Sequence, residues 1–177
     1  RALDYFSQPV AQGEVLDAVP DGIYLRKFSG IQSGRETGTS WFWRKLTHYA
    51  GLFEQSLPLE NVDTSVPCTL KVSSARTSGG HALEFMVDGE SICNSTCSFG
   101  SWTTFNVDTE GKAQFRIQYT DKSLDKSSYA EIEDLEVRYR KRLDMTGLNE
   151  LWIPSVGGNG TVGYRLEGIS GKTYLLR

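Results

Sequence analysis

The fold is decided by residues 82–93, which read ALEFMVDGESIC. Every second position from Leu83 to Val87 carries a large apolar side chain, and a period of two places these side chains on one face of a strand. Asp88 and Gly89 follow at once, and this pair is favoured in two-residue hairpin turns because both positions need a positive φ. The segment therefore predicts a β-hairpin whose second strand passes through residues 91–93.

Two longer segments continue the same period. Residues 113–119 alternate apolar side chains with Gln and Arg, which predicts a strand with one solvated face. Residues 131–139 place Leu135, Val137 and Tyr139 on one face. A helix is the competing interpretation of the second segment, but the β-branched and aromatic side chains favour a strand. We expect the inward rows of these strands and of the hairpin to be buried.

Shorter apolar runs separated by glycine-rich turns complete the pattern. They predict strands at residues 23–28, 40–46, 52–57, 69–74, 102–107, 148–153, 163–166 and 172–176. The turn sequences at 78–80, 100–101, 110–111 and 157–160 recur at the spacing of a sandwich rather than of alternating helices and strands. We predict an all-β fold, an antiparallel β-sandwich of jelly-roll type with little helix. Residues 1–20 are expected to form a lead-in segment and residues 21–177 the sandwich domain.

Composition narrows the class of protein and its partners. A chain of 177 residues with 38% hydrophobic and 23% charged residues is long and apolar enough to bury one core. Its net charge of -3 gives no general attraction to phosphate backbones or anionic lipids, so nucleic acid is not an expected partner. No apolar stretch approaches the roughly 20 residues that cross a bilayer, so we expect no membrane insertion.

The three cysteines allow at most one internal disulfide. In an extended strand Cys93 and Cys97 would lie about 13 Å apart, beyond disulfide reach, whereas a turn through residues 94–96 would bring them together. A Cys93–Cys97 disulfide would indicate an oxidising compartment. The alternative is a pair of buried thiols that behave as small hydrophobic side chains.

The sequence contains few residues of the types that form catalytic or metal sites. Only His48 and His81 are available as histidines, and no cysteine lies in a recognisable nucleophile context. Cys93 and Cys97 without a neighbouring histidine form a weak half of a zinc site. The acidic residues of 131–136 would alternate between the two faces of a regular strand, which favours a solvated face over a calcium site. We therefore expect no catalytic residue, no metal and no cofactor.

Aromatic residues suggest a binding function instead. Flat amphipathic rings on an open face can stack on sugars or anchor a protein partner. The candidate ligand-binding residues are Trp41, Trp43, Arg44, Tyr49, Trp102 and Trp152. Trp41 and Trp43 would share a face of a regular strand, and Arg44 beside them suits an acidic glycan. Two of the four tryptophans are expected to belong to the core.

An ordered set of motifs runs from about residue 20 to the end of the chain. It comprises YLRKF (24–28), SGRE (33–36), SWF (40–42), the hairpin LEFMVDGE (83–90), EIEDLEVRYRKRL (131–143) and GYRLEG (163–168). In this order the motifs resemble the β-rich region that precedes the catalytic domain in gingipain-like cysteine peptidases, especially the surface sortase of the type IX secretion system of Bacteroidetes. Trp43 and Arg44 depart from that pattern, in which a small residue and an acid follow Trp-Phe.

The resemblance implies a non-catalytic accessory β-sandwich of a secreted or bacterial cell-surface protein. The catalytic Cys and His of such peptidases lie in a later caspase-like domain, so no catalytic residue carries over to this chain. The implied partner is a neighbouring domain of the same polypeptide, which the sandwich would pack on or position. The alternative is a carbohydrate-binding module in which exposed Trp and Tyr side chains bind a glycan.

Overall fold

The computed structural model describes residues 15–26, 30–32, 40–94, 96–108, 113–153 and 162–170. Within those ranges the fold is all-β, as predicted, and contains no helix. The strands are β1 (Val15–Leu16), β2 (Ala18–Arg26), β3 (Gly30–Gln32), β4 (Ser40–Phe42), β5 (Arg44–Thr47), β6 (Leu52–Leu57), β7 (Cys68–Ser78), β8 (His81–Val87), β9 (Glu90–Cys93), β10 (Trp102–Phe105), β11 (Ala113–Asp121), β12 (Tyr129–Arg142) and β13 (Gly163–Tyr164).

Two antiparallel sheets form the sandwich. The five-stranded sheet has the order β10-β7-β12-β2, and β5 pairs with the first residues of β12 on the same side as β2. The four-stranded sheet has the order β6-β11-β8-β9. Two short pairs accompany them, the antiparallel pair β3-β4 and the parallel pair β1-β13. The strand β12 lies inside the larger sheet and pairs on both of its edges.

The core fills the space between the two sheets. Phe85 and Phe115 of the four-stranded sheet are fully buried, with ring centroids 5.7 Å apart. The burial of all the side chains predicted from the alternating rows is confirmed: Leu83, Phe85, Val87, Phe115, Ile117, Leu135, Val137 and Tyr139. The period of two therefore identified the inward faces of β8, β11 and β12 correctly.

The hairpin between β8 and β9 also has the predicted turn. Asp88 and Gly89 adopt φ values of 51° and 89°, as a turn with two positive φ residues requires. The Asp88 Oδ1 atom accepts a hydrogen bond of 2.7 Å from the backbone N–H of Gln114 on β11. The turn is thereby joined to the neighbouring strand as well as to its own hairpin.

The acidic residues of 131–136 do not alternate between the two faces of β12 as expected, because the pairing of this strand is irregular. The register against β7 shifts between Glu131 and Ile132 and again between Ile132 and Asp134, because β-bulges interrupt the ladder. Ile132 and Leu135 both belong to the core, three positions apart, so the alternation is displaced by one residue between them. The acidic side chains of this run therefore lie together on the outer side of the sheet. Glu131 and Asp134 are buried there, contrary to the expected solvated face.

Several predicted boundaries change. The strand expected at 40–46 is interrupted at Trp43, and residues 148–153 are not a strand. The strand β2 begins at Ala18 and crosses residue 20, at which the lead-in segment was expected to end. Four predicted features lie outside the described residues: the SGRE motif, the turns at 110–111 and 157–160, and the strand expected at 172–176.

Replacement of Phe115 tests the register of the core. Phe115→Ala should lower the free energy of unfolding by about 3 to 5 kcal/mol, because the buried ring is lost and a cavity remains. Gln118→Ala, at an exposed position of the same strand, is the matched control and should change stability by less than about 0.5 kcal/mol. Urea unfolding of both variants measures the difference. Equal losses would show that the inward face of β11 is assigned wrongly.

Candidate functional site

Polar and aromatic side chains are arranged regularly on the outer side of the five-stranded sheet, which faces away from the core. One row of directly opposed residues crosses its four main strands. Trp102 on β10 pairs with Lys71 on β7, Lys71 with Glu136 on β12, and Glu136 with Tyr24 on β2. Residues opposite one another in a sheet share a face. We call Trp102, Lys71, Glu136 and Tyr24, together with the adjacent Arg138, the outer-face row.

Ion pairs fix the middle of the row. The Lys71 Nζ atom lies 2.8 Å from Glu136 Oε2, and Arg138 Nη2 lies 2.8 Å from Glu136 Oε1. The Arg138 Nε atom donates a second hydrogen bond of 3.0 Å to the same Oε1 atom. The hydrogen bond from Lys71, followed by those from Arg138, lowers the pKa of Glu136 below its ordinary value. Glu136 is therefore ionised at neutral pH and holds both cations in place.

Trp102 lies at one end of the row with its ring held by the two cations. The guanidinium carbon of Arg138 is 4.0 Å from a ring centroid of Trp102, and the Lys71 Nζ atom is 4.9 Å from one. Both distances lie within the range of a cation–π interaction. The side chain nevertheless remains 39% exposed. The sheet therefore presents a fixed, partly open aromatic surface on its edge strand β10.

Tyr24 lies at the other end and is 57% exposed. Its hydroxyl donates a hydrogen bond of 2.9 Å to Asp134 Oδ2, and this bond raises the pKa of Tyr24. Arg26, the next outward residue of β2, forms an ion pair with Glu133. The phenol ring is thus anchored through its hydroxyl while its faces remain accessible.

The described side chains among the predicted ligand-binding residues lie on separate parts of the fold. Trp43, expected at an exposed ligand site, is a core residue with 7% exposure, and its ring lies edge-on to Phe53 at 5.0 Å. Its position follows from the break between β4 and β5, where the Trp43 N–H bonds to the Ile132 carbonyl. Trp41 lies in β4, and its side chain is outside the described part.

The other candidates lie on separate parts of the fold. Arg44 on β5 borders a shallow cleft with Leu52. Tyr49 is exposed in the turn between β5 and β6, where its ring lies edge-on to His48. Trp152 follows β12 and is 77% exposed. Trp102 alone of the six joins the outer-face row. Tyr24, Lys71, Glu136 and Arg138 were not selected from the sequence, because only the pairing register brings them beside it.

A second concavity lies between β7 and β8 at one end of the sandwich. It has a volume of about 610 Å³, and its lining includes His81, Asn94, Phe99 and Lys122. The His81 ring stacks on Tyr119 with centroids 5.4 Å apart, which holds the imidazole at the side of the cleft. His81 and Lys122 supply polar groups, but no nucleophile paired with a base accompanies them among the lining residues.

The disulfide forms one wall of that cleft. Cys93 and Cys97 are bonded, with Cα atoms 5.5 Å apart, and Cys97 lines the concavity. Cys68 is the free cysteine and is buried at the start of β7. Burial raises the pKa of the Cys68 thiol to about 11, so it is protonated at neutral pH.

The described ranges contain no group of three or more His, Cys, Asp and Glu side chains arranged to hold a metal ion. The same ranges hold no helix with the length and apolar character needed to cross a membrane.

The structure described above is a β-sandwich whose larger sheet has an ordered polar and aromatic outer face. No protein-family model and no curated protein matches the chain. A crystal structure of dimeric latent PorU from Porphyromonas gingivalis is similar in fold, with a TM-score of 0.51 and 10% sequence identity. The match covers 81% of this chain but 15% of the PorU chain, so this chain spans a small part of that protein.

Carbohydrate-binding modules also align with the chain. A family 35 module from Clostridium thermocellum gives a TM-score of 0.35 at 15% identity and covers 68% of this chain and 91% of the module. The module CBM36, solved in complex with calcium and xylotriose, gives 0.33 at 15% identity and covers 66% of this chain and 98% of the module. At these TM-scores the modules carry no argument about the function of this chain.

Replacement of Glu136 tests the ion-pair network. The pKa of Glu136 is lower in the folded protein than in the unfolded chain, where it is about 4.3. The ionised carboxylate therefore stabilises the fold above about pH 4.3, and this stabilisation is lost as the pH falls through the pKa of the folded state. Glu136→Gln should lower the free energy of unfolding by about 0.5 to 1 kcal/mol at pH 7. The difference in the free energy of unfolding between Glu136→Gln and the unsubstituted chain should disappear below about pH 4. Urea unfolding from pH 7 to pH 3 checks this, with Glu90→Gln at the exposed first position of β9 as control. A gap that stays constant with pH would contradict the network.

Thiol titration tests the cysteine assignment. The native protein should give no rapid reaction with a thiol-specific disulfide reagent, because the Cys68 thiol is buried and protonated. After denaturation without reductant one thiol per chain should react, and Cys68→Ala should abolish that signal. Three reactive thiols under the same conditions would show that Cys93 and Cys97 are not bonded.

Proposed function

We propose that this chain is a non-catalytic accessory β-sandwich of a larger secreted or cell-surface protein of the gingipain-like or sortase-like kind. Its function is to pack on a neighbouring domain of the same polypeptide and to position it. The observation that carries this proposal is a concentration of exposed apolar side chains in the segment after β12. These are Leu148, Trp152, Tyr164 and Ile169.

Described residues near the two ends of this segment are hydrogen-bonded to each other and to the N-terminal strands. Leu143, just after β12, is buried, and its N–H bonds to the Asp17 carbonyl at 2.9 Å. The Glu167 N–H bonds to the Leu143 carbonyl and the Met145 N–H to the Glu167 carbonyl, both at 2.9 Å. Leu148 and Tyr164 are therefore close in sequence to residues with an ordered attachment. Such a surface is suited to a fixed contact between domains.

A glycine completes this attachment. Gly168 adopts a φ of +65°, and a Cβ atom at this position would lie 2.5 Å from the Thr146 backbone nitrogen. A larger residue would be strained in φ and would also push the two parts of the segment apart. Close packing of residues 144–146 against 167–168 therefore depends on this glycine.

Two other observations support the proposal that this domain belongs to a larger protein. The ordered motifs resemble a region that precedes a catalytic domain, and the similar part of PorU is 15% of a longer chain. The glycan platform predicted at Trp41 and Trp43 does not have the expected exposed pair of rings, because the Trp43 side chain is in the core.

Fluorescence quenching tests the packing proposal. Trp152 is the most exposed described tryptophan, so Trp152→Phe should remove the fraction of emission most readily quenched by acrylamide. In the longer product of the same gene, that fraction should be protected because the neighbouring domain covers the segment. If the gene encodes no further folded domain, or if Trp152 remains as quenchable in the longer product, the proposal is wrong.

A paired substitution gives an independent measurement. Leu148→Ser with Trp152→Ser should leave the melting temperature of the 177-residue chain nearly unchanged, since both side chains are already exposed. The same pair should loosen the longer protein and speed its cleavage between domains by an added protease. Tyr49→Ser is the matched control, because Tyr49 is as exposed but lies near the opposite end of β12.

A further inference from the structure

We propose that the outer-face row is a second binding site, which takes a neutral oligosaccharide lying across the strands from Trp102 to Tyr24. The site is independent of the apolar segment after β12. It uses the aromatic rings at the two ends for stacking and the polar side chains between them for hydrogen bonds. Sugars need this combination, because their rings have apolar C–H faces and hydroxyl groups around the edge.

The spacing of the rings sets the size of the ligand. Trp102 and Tyr24 lie on β10 and β2, which are separated by β7 and β12 in the sheet. Three strand spacings of about 4.8 Å place them roughly 14 Å apart. One sugar ring cannot contact both, whereas an oligomer extended across the strands can. Affinity should therefore rise with chain length until both rings are reached.

The polar middle of the row is already organised. Glu136 is bonded to both Lys71 and Arg138, and Arg138 lies over the Trp102 ring. The Arg138 side chain is still 62% exposed, so a ligand on the face can reach it. Sugar hydroxyls both donate and accept hydrogen bonds, which matches a set that contains cationic donors and a carboxylate acceptor. Because the side chains are held before binding, less conformational entropy is lost on binding.

The charge balance selects a neutral ligand. Around the row three cations accompany three carboxylates: Arg26, Lys71 and Arg138 with Glu133, Asp134 and Glu136. Glu136 pairs with Lys71 and Arg138, Glu133 pairs with Arg26, and Asp134 brings the formal charge of the set to zero, so this face offers no excess of positive charge to an anion. A polyuronate or a phosphate-bearing polymer would have to displace Glu136 from its cations.

The position of the row in the sheet disfavours a peptide. The polar middle of the row lies on β7 and β12, whose backbone groups are paired on both edges, so a peptide could add as a strand only along β10 or β2 and would not cross the row. The two rings are separated by charged side chains and do not form one apolar anchor of the kind that dominates protein interfaces. The face therefore offers side-chain hydrogen bonds and separated stacking surfaces, which an oligosaccharide can use together.

Affinity electrophoresis of the 177-residue chain tests the site. The probes are soluble xyloglucan, arabinoxylan, galactomannan and mixed-linkage β-glucan, with polygalacturonate as the charged comparison. At least one neutral polymer should retard the chain, and calorimetry with its oligomers should show affinity that increases with length. Trp102→Ala should weaken binding about tenfold, as expected for loss of one stacking ring. Tyr24→Ala should weaken the binding of long oligomers and leave that of the shortest unchanged.

Controls separate this proposal from the others. Trp152→Ala, outside the row, should bind normally, and thermal melting should show that each variant is folded. Retardation by no neutral polymer, retardation by polygalacturonate alone, or unchanged binding in Trp102→Ala would each overturn the site. Protection of Trp102 from acrylamide in the longer gene product would show a protein contact on this face and would also overturn it. None of these outcomes bears on the packing of Trp152.

Discussion

Backbone pairing on both edges of β12 is the constraint on which the rest of the structure depends. Along one edge the strand follows β7, and along the other it pairs first with β5 and then with β2. Its inward side chains supply one half of the core and its outward side chains the middle of the outer-face row. The residues that follow its last paired position carry the exposed apolar segment. Core, polar face and apolar segment are thus positioned by one strand.

The sequence predicts most of the core because burial follows a simple period. Wherever a strand is regular, as in β8 and β11, the alternation of side chains assigns each residue to the core or to solvent. The turn at Asp88 and Gly89 is equally local, since its positive φ values are a property of two residues. These parts of the fold need no knowledge of which strands are neighbours.

The candidate site could not be predicted in the same way, because it depends on pairing between strands distant in sequence. Tyr24 and Trp102 are almost eighty residues apart and become members of one row only through β7 and β12. The extra residue of β12 at Glu133 also displaces the alternation, so the outward position of Glu131 together with Asp134 cannot be predicted from the period of two. The bend at Trp43 turns that ring into the core for a similar reason.

The placement of the cysteines has a consequence for how the chain matures. A thiolate is the species that attacks a disulfide, and a buried protonated thiol cannot do so. Cys68 enters the core only when β7 joins the sheet, whereas Cys93 and Cys97 lie four positions apart and can meet within one loop. In an oxidising environment the unpaired thiol is therefore a hazard only until the sheet closes. With the larger sheet formed, Cys68 is buried and protonated, so this thiol does not attack the Cys93–Cys97 disulfide of the folded domain.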